Sequence, residues 1–308
     1  MTTDDRELRQ QIAADAQLGA TEASPGVRAF QFFLVPLVIV TLGFLLYWGL
    51  SHMVANPRKA EDWLKDVREG GLNTRPHAAL KLVESLRRAE TPDRSLTPGI
   101  MDLYRNTKAD EDILRKTLLS CLGILRDPRA VELLLDVALK EPNLEERAAA
   151  LDALGAIKDP ATLPALVKLL DDPNAVVRKY AAFNAGAVAG RTGDASVLEP
   201  LRARLKDVAA DVGWNAAFAL AYFLKDGSGT DTLKKMLDRA YLTASIPSSD
   251  PNAPLLAARA MVTACNAAAA LKDRSFLPLL RTVIDPSKEP DADVRFIANQ
   301  AIHKIEDK

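Results

Sequence analysis

The chain has 308 residues, 48% hydrophobic and 6% aromatic, and a net charge of −1. That apolar content over that length supports a folded core, and the balanced charge excludes a chain dominated by polyanion binding. Its two cysteines, Cys121 and Cys265, are too few and too far apart for a disulfide framework or a metal cluster. Residues 1–28 form a polar tail in which Glu7 to Ala16 has the pattern of a weak helix.

Phe32 to Leu50 carries no charge over nineteen residues. As a helix it is about 28 Å long, near the hydrocarbon thickness of a bilayer. A single transmembrane helix over 29–51 is therefore predicted, with Pro36 near its start and Tyr47-Trp48 placed for an interfacial belt. A cleaved signal peptide fits less well, because its apolar region is shorter and Met53-Val-Ala55 is a poor exit. Arg58, Lys59, Lys65 and Arg68 come after the span and Arg28 precedes it. The positive-inside rule thus puts the rest of the chain in the cytoplasm, with an extracytoplasmic side as the alternative because four acids interleave.

A juxtamembrane linker is assigned to 52–72. Within it Ala60 to Glu69 forms a short amphipathic helix, either lying at the headgroups through Trp63 or serving as an end cap over the first helical unit. Residues 73–109 read as an irregular capping unit, with a helix from Arg75 to Ala89 and a proline-marked loop from Thr91 to Pro98.

From 110 to 308 one pattern recurs. Asp159 precedes Pro160 and is followed at +4, +7 and +11 by Leu163, Leu166 and Leu170, one apolar stripe of a helix that the aspartate caps. Asp127, Asp194 and Asp273 repeat those offsets, and Asp226 does so with Thr230 in the first place. The helices between them align on Arg115, Arg147, Arg178, Gly213, Arg259 and Arg295, with steps of 32, 31, 35, 46 and 36 residues. A period of this size denotes stacked helical pairs, an all-α solenoid. The 46-residue step holds YLTASIPSSDPNAP, Tyr241 to Pro254, expected as a loop projecting from the array.

The motifs Asn174-Ala-Val-Val-Arg178-x-x-Ala-Ala, Asp211-Val-Gly213-x-x-Ala-Ala and Asp293-Val-Arg295-x-x-Ala, each opening a helix, resemble the HEAT-repeat family. The likeness is to the short HEAT-like repeats first described in phycobilisome lyases. It implies that the aspartates and arginines bond between repeats as scaffold, with a break at Gly213. Lyases and hydroxylases occur among proteins built from such repeats, so enzymatic activity of that kind is the alternative to a scaffold.

Chemistry-bearing residues are sparse. His52, His77 and His303 share no ligand spacing with Cys or a carboxylate, no His-Glu dipeptide occurs, and Gly186 to Gly190 lacks the lysine and hydroxyl of a phosphate loop. No cofactor, metal, small-molecule substrate or nucleic-acid partner is expected. What stands out is aromatic. Trp214, Phe218 and Tyr222 recur every four residues, away from the Ala216, Ala217, Leu220 stripe, and Tyr180 and Phe183 hold the same sector one repeat earlier. Either they form a groove for a partner segment or they pack between repeats. The expected function is a non-catalytic protein–protein scaffold anchored in the cell membrane, an accessory or assembly subunit of a larger membrane complex.

Overall fold

The computed structural model describes residues 33–55, 58–247 and 249–307, and every regular element among them is helical. The polar tail and the first residues of the predicted span lie outside this set. Contacts divide the chain after Arg58 into two compact units.

In the first unit α1, Val35–Ala55, runs for 21 residues, about 31 Å. Its apolar side chains from Leu37 to Leu50 lie almost wholly exposed. Thr41 Oγ1 donates to Leu37 O at 2.7 Å, so its hydroxyl is satisfied within the helix. The described apolar stretch, Pro36–Leu50, is shorter than a full span. Among the described residues, the helix that is long and apolar enough to cross a membrane is Ala253–Leu271. That one is a core helix, with Ala257, Met261, Ala264, Cys265 and Ala268 buried.

The second unit, from Lys59, is a stack of helical pairs. Its second helices are α3 (Arg75–Arg88), α5 (Asp112–Leu125), α7 (Leu144–Ile157), α9 (Ala175–Thr192), α11 (Ala210–Phe218), α14 (Ala253–Leu271) and α16 (Ala292–Glu306). The first helices between them are shorter: α4 (Thr97–Asn106), α6 (Val131–Lys140), α8 (Leu163–Leu169), α10 (Leu198–Arg204), α12 (Thr230–Lys235) and α15 (Leu277–Val283). The stack opens with α2, Ala60–Glu69, which buries Leu64 and Val67 and packs Trp63 on the core. Residues 59–72, assigned to the linker, thus fall in the same compact unit as the repeats.

The repeating aspartates cap, though not the helix itself. Each accepts from the backbone N–H two residues on, as Asp159 does from Ala161 at 2.9 Å, and so starts a single 3-10 turn, here Pro160–Thr162, that leads into the helix. Asp93 makes the same turn before α4, accepting from Ser95 N at 2.8 Å. The capping unit is therefore more regular than its sequence implied, since Thr97, Ile100 and Tyr104 at the matching offsets are all buried.

Second helices approach one another closely because small residues meet there. A Cβ on Gly123 would lie 2.9 Å from Ala153 Cα, and one on Gly155 would lie 2.0 Å from Asn184 Oδ1. Asn184, buried, donates to Leu151 O at 2.6 Å.

Arginine–carboxylate pairs tie adjacent units on one edge. Arg75 meets Glu111 at 2.8 Å, Arg147 meets Asp172 at 2.5 Å and Arg178 meets Asp207 at 2.8 Å. Arg115 reaches Glu146 at 2.9 Å and also bonds to the Tyr104 hydroxyl, which donates to Glu146 at 2.7 Å. The row stops at Gly213, whose missing side chain faces the carbonyls of Arg204 and Leu205. Past it, Arg259 and Arg295 make no carboxylate pair among the described residues, Arg295 donating to the carbonyls of Glu289 and Pro290, and Arg239, outside the register, pairs with Glu289 at 2.5 Å.

Two variants report on these pairs and caps. Glu146 is 1% exposed, so Glu146→Ala removes the buried partner of Arg115 and the acceptor of the Tyr104 hydroxyl, leaves Arg115 only Glu141 at 3.2 Å as a carboxylate, and should cost about 3 kcal/mol in chemical denaturation. Asp127, beside the Arg129 guanidinium that donates to it, has its carboxyl lowered to about 2. A depressed folded value below an unfolded value of about 3.9 gives stability present above pH ~4 and lost as pH falls through ~2. Allowing for the exposure of Arg129, this component is of order 1–2 kcal/mol. Asp127→Asn, which can still cap, should lack that component in acid melts.

Candidate interaction surface

The aromatic site begins with two glycines. Gly186 and Gly190 on α9 face Ala219 and Phe223, and a Cβ on them would come within 2.5 Å of Ala219 Cβ and 2.8 Å of Phe223 O. Against this flat strip α11 does not end at Phe218 but continues as a π-helical turn, Ala219–Phe223. The wider turn packs Ala219, Leu220 and Ala221 inward. It leaves Phe218, Tyr222 and Phe223 together on the rim.

Four rings meet there. Phe183 of α9 stacks on Phe218 with centroids 5.8 Å apart and planes 4° apart, and Phe218 stacks on Tyr222 at 4.9 Å. Phe223 stands edge-on to Phe183, Phe218 and Tyr222 at 5.4, 5.6 and 5.2 Å. Such offset and edge-to-face pairs are the favoured aromatic geometries. Phe183 is 37% and Tyr222 42% exposed, and the ammonium of Lys225 lies 5.5 Å from the Tyr222 ring centre. Phe223 went unrecognised in the sequence because its place depends on the π turn.

The other two expected members lie elsewhere. Trp214 is 8% exposed, set edge-on to Tyr241 at 6.4 Å, with Nε1 donating to the Tyr241 hydroxyl at 3.4 Å. The cover comes from the inserted stretch. Residues expected as a projecting loop form α13, Arg239–Ser245, and bury Leu242 and Ile246 in the C-terminal core together with Trp214. Trp214 therefore does not face outward, because an inserted helix supplies the neighbour that ordinary repeats lack. Tyr180 is half-buried on the N-terminal core, with the Lys179 ammonium 5.6 Å from its ring centre. Beside Trp214, a hollow of about 700 Å³ is bordered by Lys179, Asp211, Met236, Ile246 and Arg259.

Among the described residues no three His, Cys, Asp or Glu side chains are placed to hold a metal. Cys121 and Cys265 are buried, and burial pushes each thiol up to about 12, far from the thiolate needed for attack.

Residues 97–186 match the family profile of HEAT repeats. A complex of CpcE and CpcF of phycocyanin lyase from Nostoc sp. PCC7120 is similar in structure, with a TM-score of 0.51 and 20% identity over 81% of this chain and 96% of that one. A protein of Escherichia coli, YibA, gives 0.46 and 21% over 80% and 82%. Human deoxyhypusine hydroxylase gives 0.37 and 18% over 81% and 96%. No curated protein sequence matches the chain. The profile match and the first likeness bear out the expected HEAT-repeat, all-helical solenoid architecture.

Burial separates the aromatic residues in a measurable way. Trp214→Ala should cost about 3–5 kcal/mol in unfolding experiments, whereas Phe183→Ala and Tyr222→Ala, at exposed rims, should each cost about 1 kcal/mol or less.

Proposed function

We propose that this chain is a membrane-anchored, non-catalytic scaffold. In this reading its repeats dock a protein partner, as an accessory or assembly subunit of a larger membrane complex. The observation that carries it is the four-ring cluster. Phe183 and Tyr222 stay partly exposed, at 37% and 42%, on a rim of the array. Exposed, mutually ordered aromatics lose little side-chain entropy when a partner covers them, which is why aromatic anchors concentrate interface energy. One similar solved structure is itself a complex of two proteins, which agrees with a pairing role for such a stack.

The anchor is α1 with the residues before it. Its side chains are exposed and apolar from Leu37 to Leu50, a surface that is costly in water and favourable in lipid. The basic residues after it support a cytoplasmic side for the repeats by the positive-inside rule, with the extracytoplasmic side as the alternative.

The test uses the full chain purified in mild detergent from cells that make it. Wild type should stay with membranes after alkaline carbonate washing and bring down a defined set of membrane proteins. The Phe183→Ala, Tyr222→Ala double variant should stay in the membrane, melt within a few degrees of wild type and lose that set. Recovery of bound chromophore or iron with the wild-type chain, or an unchanged partner set in the double variant, would contradict the proposal and favour an enzyme of lyase or hydroxylase type.

A further inference from the structure

A second surface lies on the edge where second helices end, away from the aromatic residues in sequence and chemistry. The C-terminal residues of α5 and α7 are followed by Arg126 and Lys158, both in the left-handed conformation at φ 49° and 55°. Glycine adopts that conformation freely, and any other residue held there carries a conformational penalty. Lys225 and Lys272 occupy the same place later in the chain, and Gly193 alone is glycine. A cation at a helix C-terminus gains from the helix dipole. That gain accounts for one charge per helix end, yet the N-terminal part of this edge holds more.

Two adjoining hollows, about 720 and 370 Å³, share Arg94, Arg126 and Ala156. Arg87 borders the larger one, and Lys158 and Arg191 border the smaller. On the opposite edge arginines are matched by carboxylates. Here Arg94 donates to Leu125 O and Arg191 to Lys158 O, both backbone carbonyls. The side chains of Arg87, Arg126 and Lys158 make no hydrogen bond or ion pair among the described residues. Glu90 and Asp152 also line the larger hollow, leaving five cations against two carboxylates. Its floor is built from Leu86, Leu125, Gly123 and Ala153, which are buried, with Ile124 and Ala156 the partly exposed apolar side chains on it.

We propose that this edge binds an acidic, partly apolar peptide segment of a partner protein, its carboxylates on Arg87, Arg94, Arg126, Lys158 and Arg191 and its apolar side chains against Ile124 and Ala156. Arg87, Arg126, Lys158 and Arg191 belong to the ends of α3, α5, α7 and α9, and Arg94 to the turn before α4; the four ends are three helix spacings of about 8–10 Å each. An extended segment of about eight residues spans that distance at roughly 3.3 Å per residue. A nucleic acid is the poorer occupant. The floor offers no aromatic ring for base stacking, and two carboxylates on the rim oppose a continuous phosphate track.

The experiment measures fluorescence anisotropy of a fluorescein-labelled peptide, ELEDLEDLE, with the full chain in neutral detergent. The expected result is saturable binding that weakens as salt rises to roughly 0.3 M. The neutral analogue QLQNLQNLQ should bind at least about tenfold more weakly. The double variant R126G/K158G should lose roughly tenfold in affinity while its melting temperature stays level or rises, since glycine relieves both left-handed positions. The double variant F183A/Y222A should bind as wild type does, which keeps this edge separable from the aromatic rim. No saturable binding by the folded chain, equal binding of the neutral analogue, or full affinity in R126G/K158G would overturn the proposal. So would tighter binding of a nine-nucleotide thymidine oligomer than of the peptide.

Discussion

The second helices must come very close together, and that constraint shapes both surfaces. Where a glycine on one helix leaves under 3 Å of room for even a methyl group, as Gly123, Gly155, Gly186 and Gly190 do, the facing helix comes in with backbone, a Cβ or, at Gly155, the Asn184 carboxamide. Interiors packed at crystal density do not absorb extra atoms freely. Alanines therefore fill the seam, and aromatic rings are confined to its rim. At α9 the strip of two glycines meets a π turn in place of a regular helical turn. The rim there collects Phe183, Phe218, Tyr222 and Phe223. At α5 and α7 the same close packing gives a smooth aliphatic floor between the cations at the helix ends.

Charge is distributed with similar regularity. Along one edge each arginine from Arg75 to Arg178 is closed by a carboxylate of a neighbouring turn or loop. The Arg115, Glu146, Tyr104 group is the most buried of these, and burial together with the Glu146 carboxylate raises the Tyr104 hydroxyl well above its usual range. A closed pair has little to offer a ligand. The row breaks at Gly213, and the extra residues of the chain there form α13, which covers Trp214 and supplies Arg239 to Glu289. The insertion thus completes a core that the missing arginine and the large indole would otherwise leave open.

Much of this was legible in the residues. The Asp-Pro punctuation, the +4, +7, +11 stripe and the arginine register gave the pairs, the order of the helices and the break at Gly213. The stripe works because it reports helical period and burial together. What escaped depended on contacts distant in sequence or on a local change of period. Counting 100° per residue places Trp214 outward, but that says nothing of a helix inserted some 25 residues later. Phe223 was invisible to the same count, because a π turn shifts its direction by an extra residue. Ala60–Glu69 carried a balanced amphipathic pattern, and that Leu64 and Val67 are buried against the repeats shows only in its packing. Glu146 looked like any acid in a first helical turn. Its burial comes from Arg115, 31 residues earlier.

That an aromatic rim on a repeat array is covered by a partner at the membrane is tested most directly by oxidative footprinting. Hydroxyl radicals would be generated on native membranes and on the purified chain in detergent, and modification read by mass spectrometry at each aromatic residue. Phe183, Phe218 and Tyr222 should be protected in the membranes and labelled after purification, while buried Trp214 should be protected in both. Equal labelling of Phe183 and Tyr222 in the two preparations would contradict a covered rim.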